Sequence, residues 1–356
     1  MKKILLSSAS FFLSILFCAS QNTADSLLTF IAKNKSRASL YLVQNDTIVS
    51  RLNENKMMPL ASTVKIMVAL EFAKQAAKNV FDENSNVALS ELAKYYLPNT
   101  DGGAHPGWIK YERSKGHVKA DSIALINVAR GMILFSSNAN TEYLMDLLGL
   151  DNVKNNIQLL GIKQHSAIYP IVSSLFMYQN PRQKSEESIL KGIRKLNDEQ
   201  YSRYIYDMHK ALKYDTVLKS KFRPQDLSFK MQKLWSDRLP ASTVKEYAHI
   251  CNVINSRRYF DENTYVILAV IMESLMESPA NRQWLKHAGM KGGSTMWVLT
   301  KSMYATTKEG QRIELAYFFN DLSPTENGQL LKWMNSFELK ILQDPAFRKK
   351  LAKTMF

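Results

Sequence analysis

The stretch Pro59–Phe72, PLASTVKIMVALEF, constrains the fold more than any other part of the chain. From Ile66 onward it is apolar on nearly all sides, with Ile66, Met67, Ala69, Leu70 and Phe72 spread around a helix axis. Such a helix has no solvent face, so the chain must build a shell of other elements around it. Its start carries Ser62 and, three residues on, Lys65. In a helix the two lie on one face, a turn apart. Serine needs a base within hydrogen-bond reach to act as a nucleophile. A lysine is such a base only where burial or neighbouring cations lower its pKa. A buried helix supplies the burial, and its N-terminus surrounds the serine with backbone N–H groups.

S-x-x-K alone is a weak signal, and the chain contains its own control. Ala241–Lys245 reads ASTVK, identical to Ala61–Lys65. There Thr243 is followed three residues later by Glu246, the pattern of a capping box, and Tyr247, Ile250, Cys251 and Ile254 recur at helical spacing. The second copy therefore reads as the start of an amphipathic helix, and Ser62 with Lys65 are the candidates for chemistry.

The chain has 356 residues with 46% hydrophobic content, enough for one large or two intimate domains. Lys2 and Lys3 precede an apolar run from Ile4 to Phe17, and Cys18-Ala19-Ser20 offers small residues for cleavage before Gln21. Residues 1–20 read as a secretory signal; the alternative is a lipoprotein signal with Cys18 as the acylated residue. Cleavage leaves Cys251 alone, so no internal disulfide forms and the fold must stand on its core. No later apolar run is long enough to span a bilayer. The expectation is a secreted, periplasmic monomer. The formal charge of +15 is compatible with anionic envelope polymers, but a solvated lysine-rich surface is the plainer reading. There is no nucleic-acid motif and no phosphate loop. The six histidines are scattered without paired ligand spacing, so neither a metal nor a cofactor is predicted.

Along the mature chain, Ser26–Lys33 predicts a short helix, and Ser39–Val43 with Thr47–Leu52 a hairpin around Asn45-Asp46. Asn99–Lys115 is rich in Gly, Pro and Asp and predicts a loop, with Trp108 or Tyr111 as a rim or as packing on its own base. Asp121–Leu134 and Thr141–Leu148 predict helices flanking a Ser136-Ser137-Asn138-Ala139-Asn140 corner. That corner either fixes a hydroxyl and an amide or merely caps the next helix. Thr264–Glu277 predicts a helix. Lys291-Gly292-Gly293-Ser294 predicts a strand entrance, followed by a turn at Lys308–Gly310, a return strand Arg312–Phe319 and a final helix Glu326–Leu342. The paired glycines let something approach the backbone closely, or mark a strand-edge kink.

S-x-x-K opening an apolar helix, S-x-N between helices and K-x-G at a late strand, in that order, resemble the serine penicillin-recognising superfamily, and most closely the class A β-lactamases. The resemblance runs from the Ser39 hairpin to the last helix. It implies an α/β (α+β) architecture, with an antiparallel sheet flanked by helices from 21–60 and 285–356. Residues 61–284 would form an inserted all-helical domain. By the same resemblance Ser62 is the nucleophile that forms an acyl-enzyme, Lys65 its base, and Ser136 the proton shuttle to the leaving nitrogen. Asn138 binds the substrate amide, Lys291 the substrate carboxylate, and the N–H groups of Ser62 and Ser294 form the oxyanion hole. Gly293 and Thr295 complete the substrate-binding set.

Two departures stand out. The family has a hydroxyl residue after the lysine; here it is Gly292, and Ser294 or Thr295 are the substitutes. The family's Ω-loop glutamate should fall within Ser166–Asn180, where there is no acid. His165, Tyr169 and Glu186 are weak replacements as deacylating group. Residues 181–239 are longer than the family needs and read as a helical insertion. The implied activity is opening of β-lactam amides. The alternatives are a D-Ala-D-Ala peptidase or esterase acting on cell-wall peptide with slow β-lactam turnover, or a non-hydrolytic envelope binding protein.

Overall fold

A computed structural model describes residues 20–179 and 185–355. The predicted export segment up to residue 19, with Cys18, lies outside the described residues. The described chain divides into two compact units, a sheet unit (residues 20–63, 242–265 and 273–355) and a helical unit (64–241 and 266–272).

The sheet unit holds five antiparallel strands: β1 (Ala38–Gln44), β2 (Thr47–Leu52), β3 (Leu285–Ser294), β4 (Leu299–Thr307) and β5 (Arg312–Phe319). Their order is β2-β1-β5-β4-β3, so the N-terminal hairpin pairs with the last strand of the chain. Asn45 and Asp46 both adopt positive φ, 48° and 63°, the turn geometry that matches the twist of a two-residue hairpin. β4 is buried along its whole length, because helices cover both faces. On one face, helices Ser20–Lys33 and Pro324–Gln343 enclose a core of Leu27, Ile31, Met303, Leu315, Met334 and Phe337. On the other, helix Val244–Ser256 packs against β4 and β5, with Cys251 Sγ 3.0 Å from Ser302 Oγ.

Two expectations change here. Lys291–Ser294 does not enter a strand but ends β3, and a turn through Thr295 leads into β4, because Thr295 N donates to Val298 O. Nor is helix Pro324–Gln343 the last, since Pro345–Met355 follows it and buries Phe347 and Leu351.

In the helical unit, helix Lys65–Ala77 is buried on nearly every side and packs against helices Leu125–Leu134, Asn138–Leu148 and Leu150–Leu159. Its only acid, Glu71, is tolerated in the core because Lys74, Gln75 and Asn156 all donate to it. The predicted loop 99–115 contains helix Ala104–Ser114. Gly103, at φ 86°, and Asp101, whose carboxylate accepts from Gly103 N and His105 N, start that helix. Pro106 sits in its first turn, where a missing N–H costs nothing. The glycines and proline mark a helix entrance, and Trp108 is wholly buried rather than on a rim. The helical run predicted over Asp121–Leu134 begins as a strand, Ser122–Ala124, after positive φ at Ala120 and Asp121. The described part of 181–239 is helical, chiefly Glu186–Arg194, Asp198–Tyr214 and Phe229–Asp237. Among the described residues no helix is long and apolar enough to cross a membrane.

Candidate active site

The two ASTVK copies adopt different conformations. At the second, Thr243 Oγ1 accepts from Glu246 N at 3.2 Å and starts helix Val244–Ser256. At the first, Ala61–Val64 forms a 3-10 turn, with no side-chain cap, that runs straight into Lys65 as the first α-helical residue. Ala61 is held at φ 45°, a conformation a non-glycine residue adopts only when its surroundings enforce it. Within the sheet unit those surroundings are visible. Thr63 N donates to Leu60 O at 3.0 Å, and Thr300 Oγ1 on β4 lies 2.8 Å from Leu60 O, 3.1 Å from Gly293 O and 2.8 Å from Thr63 Oγ1.

Gly293 is the contact point between β3 and that turn. A Cβ placed there would lie 2.5 Å from Leu60 O and 2.6 Å from Ser62 N. Only glycine lets the strand backbone come so close to the amide of Ser62. Ser294 follows, exposed at the end of β3, and Thr295 Oγ1 accepts from Trp297 N and Val298 N in the turn. Lys291 is buried, with its Nζ donating to Gly292 O at 2.7 Å. Gly292 points to the opposite face, where a Cβ would meet Lys301 Cε at 3.6 Å.

In the helical unit Lys65 is fully buried. Its Nζ donates to Ser136 O at 2.7 Å and Asn138 Oδ1 at 2.7 Å, and lies 3.3 Å from Ser136 Oγ. Burial pushes the Lys65 ammonium down to about 7, against the opposing pull of Asp101 and Glu142. A neutral amine has two N–H groups and one lone pair. The carbonyl of Ser136 and the amide oxygen of Asn138 take the two N–H groups, which leaves the lone pair to accept a proton.

The corner that supplies these partners is built for the purpose. Ser137 is the N-cap of helix Asn138–Leu148, its hydroxyl accepting from Asn140 N, and the buried His105 Nδ1 lies 2.9 Å from Ser137 Oγ. Ser136, just outside, is held at φ 64°. The capping reading thus applies to Ser137, while Ser136 and Asn138 turn toward Lys65. Asn138 and Asn140 both fall inside the helix, which starts three residues earlier than Thr141.

The structure brings Lys65, Ser136 and Asn138 together in one unit, and in the other sets Gly293 against the amide of Ser62. The candidate deacylating residues have partners of their own within the helical unit. His165 Nδ1 is 2.6 Å from Ser166 O, Tyr169 is buried with its hydroxyl donating to Arg238 O, and Glu186 faces Lys230 at 3.8 Å. Residues missed from the sequence are Thr300, whose hydroxyl ties the turn to the strand, and Glu142, a buried acid one helical turn beyond Asn138. The spacing Asn138-x-x-x-Glu142 was the only local signal for the latter.

A serine at a strained turn beside a glycine-bearing strand end, in the sheet unit, and a desolvated lysine beside a serine and an asparagine, in the helical unit, are side chains of the kind that serine hydrolases employ. The Beta-lactamase enzyme family matches residues 22–254. The chain belongs to that family and is a β-lactamase-type serine hydrolase. No curated protein matches it. Among solved structures, a class A β-lactamase from Bacteroides cellulosilyticus is 16% identical, with 94% of this chain and 98% of that one covered, at a TM-score of 0.51. A β-lactamase from Chitinophaga pinensis is 17% identical, with 89% and 98% covered, at 0.52. A variant of PBP-A in an acyl-enzyme complex with penicillin G is 15% identical, with 92% and 97% covered, at 0.51. At these identities the likeness is one of fold.

Proposed function

We propose that the chain is an exported hydrolase that opens β-lactam amides through an acyl-enzyme on Ser62. The observation that carries this reading is the buried Lys65, whose two strong acceptors leave a lone pair for a proton. Neutral Lys65 takes the proton of the Ser62 hydroxyl as its oxygen attacks the lactam carbonyl. The N–H groups of Ser62 and Ser294 receive the charge that develops on the carbonyl oxygen; removing one such donor costs about 10²–10³ in rate. The C–N bond then breaks, and Ser136 passes a proton from the Lys65 ammonium to the leaving nitrogen. Asn138 orients the substrate amide, Lys291 attracts the substrate carboxylate, and Thr295 supplies a hydroxyl to it.

A second reading, a penicillin-binding peptidase with slow β-lactam turnover, is favoured by one observation. No acid lies in 166–179, and the buried Glu142 is already saturated with donors. A fluorescent penicillin separates the two. Covalent labelling that disappears in Ser62→Ala is expected in either case. Steady nitrocefin hydrolysis then selects the β-lactamase, and a persistent mass adduct selects the penicillin-binding protein. Absence of both labelling and hydrolysis refutes the reading.

A further inference from the structure

One face of helix Asn138–Leu148 carries Asn138, Glu142 and Asp146, a polar ladder at four-residue spacing on a helix with a largely buried surface. The first rung, Asn138 Oδ1, accepts from Lys65 Nζ. On the second rung, Glu142 Oε1 accepts from Val172 N at 2.7 Å and Ser173 N at 3.1 Å. Its Oε2 accepts from Ser173 Oγ at 2.9 Å and faces His209 Nδ1 at 3.1 Å. On the third rung, Asp146 Oδ1 lies 2.9 Å from His209 Nε2, and its Oδ2 accepts from Lys213 Nζ at 2.7 Å and Tyr95 O–H at 2.8 Å. His209 and Lys213 belong to helix Asp198–Tyr214, within the segment that exceeds the family's length.

We propose that Glu142 is a positioning residue for Lys65, and that His209 of the inserted helix is the cation that holds it in place. The proposal rests on the reading of Lys65 given above. Glu142 is not a base for water, since both of its oxygens are occupied by donors. It instead fixes Val172 and Ser173, in the stretch where the family's Ω-loop falls, and sets negative charge one turn from Asn138. His209 has a carboxylate at each ring nitrogen, and only an imidazolium can donate to both. Burial pushes His209 down, but the hydrogen bonds it donates to Asp146 and Glu142 prevail and hold it up at about 9. Without that cation the buried Glu142 would face Asp146 with no positive charge between them, since of the two Lys213 reaches only Asp146. The inserted segment thus belongs to the site's electrostatics and is more than a surface addition.

The charged and titratable groups around Glu142 include Lys94 and Tyr95, Asp146 on its own helix, and His209, Lys213 and Lys219 from the insertion, with Lys65 and Asp101 further along the same network. Glu142 and Asp101 both favour the charged form of Lys65. Two substitutions therefore have opposite signs. Glu142→Gln removes negative charge, and His209→Asn removes the positive charge that masks it.

The test is the rate of labelling by a fluorescent penicillin from pH 5.5 to 9. The wild-type rate should rise with pH as Lys65 deprotonates. In Glu142→Gln the midpoint of that rise should move down by roughly one pH unit, and in His209→Asn it should move up. A purely structural role lowers the rate without moving the midpoint, and equal midpoints in folded variants overturn the proposal. Should Glu142→Gln fail to fold, the direction of shift in His209→Asn decides alone. If the wild type is not labelled, or Ser62→Ala is labelled equally, the underlying reading of the site has failed instead.

Discussion

Gly293→Ala is the most direct probe of how the sheet unit builds the turn that carries Ser62. The added Cβ would sit 2.5 Å from Leu60 O, 2.6 Å from Ser62 N and 2.8 Å from Thr300 Oγ1. Carbon approaches such atoms to about 3.4 Å at best, so β3 and the turn must part by somewhat under 1 Å. Neither neighbour yields cheaply. The first two atoms are backbone, the residue between them already holds a positive φ, and Thr300 is tied to Leu60 and Thr63. Overpacking of this kind costs about 1–3 kcal/mol of stability. A displacement near 1 Å at a reacting group costs on the order of 10²-fold in rate. Gly292→Ala is the internal control: its Cβ meets Thr300 O at 3.4 Å and Lys301 Cε at 3.6 Å, ordinary contacts on the other face. Thermal denaturation and second-order labelling by a fluorescent penicillin, run on both variants, give the comparison. Gly293→Ala should lose stability and slow labelling about a hundredfold, while Gly292→Ala stays within roughly 0.5 kcal/mol of wild type. Equal behaviour of the two variants, or wild-type labelling by Gly293→Ala, refutes the close approach as the reason for the glycine.

Thr243→Ala, in the duplicate pentapeptide, should destabilise the protein by about 0.5–2 kcal/mol through loss of the helix cap, with labelling unchanged; slowed labelling would show that the copies are not separable. His209, held at about 9 against an ordinary 6.5, stabilises the fold fully below pH 6.5 and loses that contribution as pH rises through 9. The stability difference between wild type and His209→Asn in urea should therefore be large at pH 6 and shrink by pH 9.5; a difference that grows with pH contradicts the imidazolium. Lys65, lowered to about 7, acts in the opposite sense between 7 and its ordinary 10.5, so the wild-type curve alone is flat where the two overlap.

Much of the architecture was legible because it rests on local patterns. An apolar run with no polar face predicted a buried helix, Asn45-Asp46 predicted the hairpin turn, and Glu246 after Thr243 told one ASTVK from the other. Three features were not legible, each for a physical reason. Gly102, Gly103 and Pro106 read as breakers, yet glycine before a helix and proline in its first turn are also how helices begin, and Trp108 and Glu112 then anchor Ala104–Ser114 in the core. Alternation within Met290–Ser294 does not tell a strand's entrance from its exit; only pairing with β4 does. Glu142, in turn, is given its partners by Ser173 and His209, from distant parts of the chain, and no local periodicity encodes such a meeting.

The register of β3 on β4 has one further consequence. Lys291 pairs with Ser302 and Gly293 with Thr300, while Gly292 pairs with Lys301 between them. Ser302 and Thr300 look toward helix Val244–Ser256 and the Leu60–Thr63 turn, whereas Lys301 looks toward Glu338 on helix Pro324–Gln343. Because side chains alternate with period two, deletion of a single residue between His287 and Met290, beyond the bulge at Lys286, would exchange these faces. It would move Lys291 to the opposite face of the sheet and bring Ser294, which has a Cβ, to the place where Gly293 meets Leu60 O and Ser62 N. The chemistry of this enzyme therefore has an exposure to frameshift-like slips in one strand that its larger helical segment, where an inserted turn restores the face, does not share.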